Sequence, residues 1–315
     1  MSKEYCSILT QKLQVDGCGT APPNIKYFLF IETEQPWPEN EKGLDNYPQY
    51  AFDLALGNLK IHLLAPGAYS KDGFKKIIFF ELSKDNIAHF DRREYQVPNE
   101  VVEELIHSLF SANTSDSINK FDQYKSEPDV IRDLFICGHA AKDYCCGTFG
   151  DALYQFASDY LQENKDKFLN VKIWQSSHLK GHKFAPTMVD FPEGRYWGHL
   201  NQDLLINKIL PLAELETIDD LRMHIRGLVG TNNFGQIAER EFLSKYGPSW
   251  IQKKKTITVL PDPDNKNVAK VTIGFEQNSQ PDSKTVTVTL SEQPITVTDH
   301  ACGAPSSFKK GTVTF

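Results

Sequence analysis

Cysteine is scarce in this chain, with six in 315 residues, unevenly spaced. That is too few for the disulfide framework of a small secreted domain, so clustered cysteines here point to metal binding or redox chemistry. Long apolar runs are missing as well. The longest, such as 77–80, are strand-sized, and the N-terminal Met-Ser-Lys-Glu-Tyr-Cys-Ser-Ile segment holds no apolar stretch of signal-peptide length. A cytoplasmic protein without a membrane partner is therefore expected. Basic residues are outnumbered, 34 Lys and Arg against 41 Asp and Glu for a net charge of -7, which leaves no electrostatic footprint for nucleic acid. No Gly-x-Gly-x-x-Gly follows a predicted strand and no P-loop is present, so no nucleotide or flavin site is indicated. Nor does any carboxylate pair stand out as the acid and base of glycoside hydrolysis.

What is present reads as a folded α/β protein. Hydrophobic content of 40% and charged content of 24% are ordinary for a globular chain. A length of 315 residues exceeds the roughly 250–300 at which a single core stops growing, so more than one core is expected. Strand-like runs fall at 27–31, 59–64, 76–82 and 89–95, with a short helix near 50–56 and an amphipathic helix after Pro98 that presents Val101, Val102, Leu105, Ile106, Leu109 and Phe110. The order then recurs: a strand at 133–136, a helix over 149–162, a strand at 171–174, a hairpin of 185–189 with 195–198, and a helix over 203–210.

Two tandem thioredoxin-like αβ domains are thus expected, over 1–125 and 126–212. The first is a scaffold half and the second carries the chemistry. Helical patterning at 218–229 and 234–243 suggests a helical connector over 213–254. From 255 to 315 the texture changes to period-two alternation, as in Thr-Val-Thr-Val-Thr-Leu over 285–290, and predicts a small antiparallel β segment with one wet face.

Four potential metal ligands lie in the second domain. Cys137 and Cys146 are separated by eight residues, and His178 and His182 by three. Cys137 ends the first strand of that domain and Cys146 precedes its helix, where unpaired N–H groups favour a thiolate; the histidines follow the second strand. Parallel strands open on the same sheet edge, so the two pairs can converge. Two thiolates and two imidazoles suit either zinc or a 2Fe-2S cluster of the Rieske kind. Zinc sites usually place their cysteines two to four residues apart, which favours the cluster. The neighbouring Cys145 could in principle replace Cys146. It also allows a third reading, a thiol–disulfide oxidoreductase using Cys145 and Cys146, although adjacent cysteines form strained disulfides. Cys6, Cys18 and Cys302 read as structural thiols rather than further ligands, and His300 with Cys302 does not make a site.

The runs Cys-Gly-His-Ala-Ala-Lys-Asp-Tyr-Cys-Cys-Gly-Thr-Phe-Gly over 137–150, Ser-Ser-His-Leu-Lys-Gly-His-Lys-Phe-Ala-Pro-Thr over 176–187 and Gly-Arg-Tyr-Trp-Gly-His-Leu over 194–200 resemble the sucrase/ferredoxin-like family, a branch of the thioredoxin-like 2Fe-2S ferredoxins. The Glu-Gln-Pro-Trp-Pro segment at 34–38 resembles it too, and the likeness covers roughly residues 5–210. The resemblance implies a 2Fe-2S cluster held by Cys137, Cys146, His178 and His182, with Cys145 a packed thiol. Lys180 stands where the family prefers the first of two glycines, and Lys183 where it usually has Arg. The function expected is one-electron transfer between donor and acceptor proteins, with a raised and pH-dependent potential. An electron carrier is favoured over an enzyme with its own substrate, and a structural zinc protein is the alternative.

Overall fold

The computed structural model describes residues 4–40, 57–110, 118–126, 132–277, 280–298 and 305–315. A short helix α1 (Cys6–Lys12) precedes the first half, in which β1 (Tyr27–Glu32) pairs parallel with β2 (Leu59–Leu64) and antiparallel with β3 (Phe74–Leu82). That strand pairs antiparallel with β4 (Phe90–Pro98), and α2 (Val102–Leu109) follows. The second half repeats this pattern. Its β5 (Arg132–Cys137) pairs parallel with β6 (Val171–Ser176) across α3 (Asp151–Glu163), and antiparallel with β7 (Met188–Phe191), which pairs antiparallel with β8 (Arg195–Trp197). The spatial orders β2-β1-β3-β4 and β6-β5-β7-β8 are the same, so the recurrence expected from the strand pattern is visible in the topology. The helix expected near 50–56 lies outside the described residues.

The two halves join edge to edge where β2 meets β6 antiparallel at Leu64 and Ser176, and β9 (Ile225–Leu228) extends the far side to nine strands. The sheet folds back at this join, so that the inner faces of the halves pack on each other. Phe30 of β1 stacks on Phe135 of β5 at 3.8 Å between centroids, and Phe80 of β3 on Phe191 of β7 at 3.9 Å. The period of two does this: Phe28 and Phe30 point into the shared aromatic core while Leu29 and Ile31 point out beneath α2. Each fully buried Phe contributes about 1.5–3 kcal/mol, and ring pairs in good geometry about 0.5–1.5 kcal/mol more. Cys137, Cys146 and Leu179 belong to this same core.

A buried ionic cluster also ties the halves. Asp133 of β5 accepts from Trp174 Nε1 at 2.8 Å and from Arg92 Nε of β4 at 2.6 Å. Arg92 also pairs with Glu94, which accepts from Lys76 Nζ at 2.5 Å. Burial alone would raise the Glu94 carboxyl, but Arg92 and Lys76 hold it down, to about 2.

Part of the expected helical connector is a strand. Residues Asp219–His224 form a 3-10 turn and β9 then pairs with β8, with a register shift between Tyr196 and Trp197 and Gly227 at φ 131°. All four β9 residues are buried, so the segment shows no strand alternation. Helix α4 (Asn233–Tyr246) forms where expected, N-capped by the Asn232 side chain accepting from the Gly235 N–H. The helix expected over 203–210 is a short turn, Gln202–Leu204, running into a π turn, Leu205–Ile209.

The C-terminal alternation gives β10 (Lys255–Pro261), β11 (Val268–Gln277), β12 (Gln280–Leu290) and β15 (Gly311–Thr314) in one antiparallel sheet, plus a hairpin of β13 (Ile295–Val297) and β14 (Ser306–Phe308). Val271, Ile273, Phe275, Val286 and Val288 pack on Ile237, Phe242 and Trp250, while Thr272 and Thr285 meet on the exposed face. One face is wet, as the alternation predicts.

Candidate metal centre

Backbone hydrogen bonds place Cys137 at the end of β5: its N–H donates to Thr187 O at 3.1 Å, and the Gly138 N–H to Ser176 O at 3.0 Å. The chain then turns into the next helix through Asp143. Asp143 Oδ1 accepts from the Cys145 N–H at 2.8 Å, and its carbonyl accepts from the Gly147 N–H at 3.0 Å, so two otherwise unpaired donors of the helix start are satisfied. The helix continues as a π turn, Cys146–Gly150, before α3. Gly150 lies flat against the end of β5: a Cβ there would overlap the carbonyl oxygen of Cys137 and stand 3.0 Å from its carbonyl carbon. That close approach holds the Cys146 turn against the Cys137 strand end.

The histidine loop leaves β6 and is tied to the other half of the molecule. The Ser177 N–H donates to Leu63 O at 2.8 Å and Ser177 Oγ accepts from the Leu63 N–H at 3.0 Å. Lys180 and Gly181 both adopt left-handed conformations, φ 65° and 79°, before the His182–Phe184 turn. The backbone thus takes at Lys180 the conformation that glycine adopts most cheaply.

The Cys137 and Cys146 thiols and His178 offer donor atoms that all lie within 4.8 Å of one another, with both cysteines buried and His178 half-buried. Cys146 Sγ is 3.9 Å from His178 Nδ1. His182 stands at the rim, 27% exposed, its ring 6.0 Å from that of His178 and its Nδ1 3.4 Å from Asp143 Oδ2. Three of the four sequence-predicted ligands are therefore brought together, and the fourth faces Asp143 beside them. Of the adjacent thiols, Cys146 joins the group; Cys145 turns away and lies 3.3 Å from Cys6, Sγ to Sγ. Burial opposes ionisation of Cys137, but hydrogen bonds from Cys146 and His178 and from the His139 backbone N–H outweigh it and hold that thiol well below its ordinary range. Hydrogen bonding to Cys137 and burial push Cys146 the other way.

Sequence reasoning gave Arg226 no role. This β9 residue is 2% exposed and packs under the histidine loop, its guanidinium donating to Lys180 O at 3.1 Å, to Thr20 O at 2.8 Å and to Thr20 Oγ1 at 3.1 Å. Burial lowers its pKa to about 10, against the pull of Tyr196, Cys146 and Cys137. Among the described residues no carboxylate pairs with it. No spacing rule could have found it, because the loop it supports is far away in sequence. Asp143 serves both the turn, through the Cys145 N–H, and a candidate ligand ring, through His182 Nδ1. His139 Nε2 lies 3.0 Å from Pro38 O and its ring meets Trp37 edge-on at 5.6 Å, which brings the 34–38 segment to the ligand loop.

Compared with known proteins, the sucrase/ferredoxin-like family matches residues 18–218, nearly two thirds of the chain. The chain belongs to the sucrase/ferredoxin-like family. The matched stretch contains all four candidate ligands, whereas Cys6, β9 with Arg226 and the C-terminal sheet lie outside it. Two curated relatives are both called altered inheritance of mitochondria protein 32. The one from Meyerozyma guilliermondii is 34% identical over 120 residues, 38% of this chain and 41% of the relative. The one from Debaryomyces hansenii is 29% identical over 93 residues, 29% of this chain and 33% of the relative. This chain thus spans less than half the length of the curated relatives it matches. Among solved structures, the wild-type thioredoxin-like [2Fe-2S] ferredoxin of Aquifex aeolicus is 14% identical and covers 26% of this chain and 84% of its own, with a TM-score of 0.23. A serine variant of the same ferredoxin is 17% identical over 29% of this chain and 96% of its own, with a TM-score of 0.25. Among the described residues no helix is long and apolar enough to cross a membrane.

Proposed function

We propose that this protein is a one-electron carrier whose 2Fe-2S cluster is held by Cys137, Cys146, His178 and His182. The observation that carries the reading is the convergence of Cys137, Cys146 and His178 at the edge of the aromatic core, with His182 at its rim. The donor set fits: two thiols, one of them already biased towards the thiolate, and two imidazoles, one of them beside a carboxylate. When bound, the cluster supplies one-electron chemistry, at a potential above that of an all-cysteine ferredoxin because two neutral imidazoles replace two thiolates.

The chain's own residues then have separable tasks. Cys137 and Cys146 anchor the buried side, where Phe135, Trp174 and Leu179 exclude water. Asp143 engages Nδ1 of His182, and ligation by Nε2 requires that nitrogen to leave its 3.4 Å contact with Lys183 Nζ. Arg226 puts a buried positive charge behind the loop and favours the more negative, reduced state. His178 and His182, nearest the solvent, form the face offered to donor and acceptor proteins and can exchange a proton at the ring nitrogen that does not ligate. The reduction potential is therefore expected to fall as pH rises through the range where these histidines titrate. Protein-film voltammetry across pH checks this, and a pH-independent potential contradicts bis-histidine ligation. A colourless, redox-silent protein with one zinc would sustain the structural-zinc reading instead.

A further inference from the structure

We propose that Cys6 and Cys145 form a second redox site, a dithiol that closes to a disulfide, distinct from the metal ligands. Sequence gives no reason to pair them, since they stand 139 positions apart and Cys6 precedes the stretch matched by the family. The fold brings their sulfurs to 3.3 Å, with both side chains fully buried against Ala185, Tyr5 and Phe149. A disulfide needs about 2.05 Å between sulfurs, so the pair must close by roughly 1.3 Å. One partner sits on the short helix α1, Cys6–Lys12.

Neither sulfur belongs to the group formed by Cys137, Cys146 and His178. A mainly apolar cavity of about 270 Å³, lined by Ser7, Phe149, Ala185 and Pro186 among others, abuts the buried pair without either cysteine lining it. Ser7 adjoins Cys6 in the chain, and Phe149 and Ala185 pack directly on the thiol pair. A small dialkyl disulfide is the class of oxidant, and it reaches the pair only when the Phe149 and Ala185 wall between cavity and thiols moves. One cysteine thiolate attacks a sulfur of the oxidant, a mixed disulfide forms and the first small thiol leaves; the second cysteine then displaces the other small thiol. Two electrons pass from the cysteine pair to the oxidant, and the two protons end on the released thiols.

Closure has a structural consequence. Helix α1 already touches the histidine loop, where Thr10 Oγ1 donates to the Lys183 carbonyl. Cys145 immediately precedes Cys146. The disulfide therefore clamps α1 to both ligand-bearing loops.

The test equilibrates the full chain in buffers of 2-hydroxyethyl disulfide and 2-mercaptoethanol at graded ratios, quenches by alkylation under denaturing conditions, and maps peptides by mass spectrometry. The expected result is a cross-linked Cys6–Cys145 peptide pair, two hydrogens lighter than the separate thiols, appearing over a single transition. It disappears in Cys6→Ser and in Cys145→Ser. Both thiols remaining alkylatable in the wild type at every ratio would overturn the proposal, as would cross-linking confined to Cys137 and Cys146. The wild-type map needs neither variant to fold. Iron and zinc counted on the same samples keep the outcome separate from that of the electron-transfer reading, because the Cys6→Ser chain retains all four candidate ligands.

Discussion

Replacing Gly150 by Ala sets two effects of opposite sign against each other. Gly150 has φ -74° and ψ -42°, ordinary helical values, so the backbone accepts alanine and helix propensity alone predicts a gain of about 0.8–1 kcal/mol. Sterics predict the reverse. The new Cβ would overlap the Cys137 carbonyl oxygen and lie 3.0 Å from the carbonyl carbon, and the obstacle is backbone that cannot rotate away. The helix start must retreat by roughly 1 Å or more to restore ordinary contact. Overpacking of this kind costs about 1–3 kcal/mol, and a rigid neighbour places it at the upper end. The net expectation is a loss of about 2 kcal/mol. The retreat also carries Cys146 away from Cys137, so metal content should drop well below that of the wild type. Urea unfolding of chelator-treated protein measures the first effect and iron and zinc analysis the second. Gly57→Ala is the control, since a Cβ there has nothing within 4 Å, and it should change stability by less than about 0.5 kcal/mol. A Gly150→Ala protein as stable as the wild type and fully loaded would refute the close packing of the Cys146 turn on β5.

Other expectations follow from the same geometry. Lys180→Gly should stabilise the protein by about 0.5–1 kcal/mol, because it relieves the left-handed φ of 65° while keeping the carbonyl that Arg226 binds; a lower urea midpoint would contradict this. Burial, with the nearby His224 and Arg226 charges, holds His199 down to about 3 against about 6.5 when unfolded. Its contribution is present in full above pH ~6.5 and lost as pH falls towards 3, because the unfolded chain takes the proton first. That loss amounts to at most about 5 kcal/mol. His199→Gln should make the acid limb of a stability–pH curve shallower, and an unchanged slope would show that another group governs it. Arg226→Met should lower the reduction potential by removing a buried positive charge behind the histidine loop, while Arg226→Lys lowers it less; equal potentials in all three proteins would remove Arg226 from the electrostatics of the centre.

Much of the scaffold was legible because strand runs bounded by turn residues announce themselves even without alternation. Tyr27–Glu32 is such a run, but Phe28 and Phe30 face the other half while Leu29 and Ile31 face α2, so both faces are apolar. The pattern therefore gave the strand and could not reveal that the sheet folds back on itself. Ile218, Leu221, Ile225 and Leu228 fall at helical spacing, yet only Leu221 lies in a helical turn, with Ile218 at its N-cap; pairing of β9 with β8 overrode the period. The site was readable to the extent that its residues cluster in sequence. Cys137 at a strand end, Cys146 before a helix and the His178–His182 spacing follow from local pattern and family resemblance. Arg226 and the approach of Cys6 to Cys145 come from elements far apart in the chain. No local pattern encodes such contacts.

The most direct test of the central claim is an ultraviolet–visible spectrum of protein purified without oxygen, with iron, acid-labile sulfide and zinc counted on the same sample. The account predicts a brown protein with about two irons and two sulfides per chain, both lost in Cys137→Ala. A colourless protein carrying one zinc would contradict it and make Cys137, Cys146, His178 and His182 a structural site.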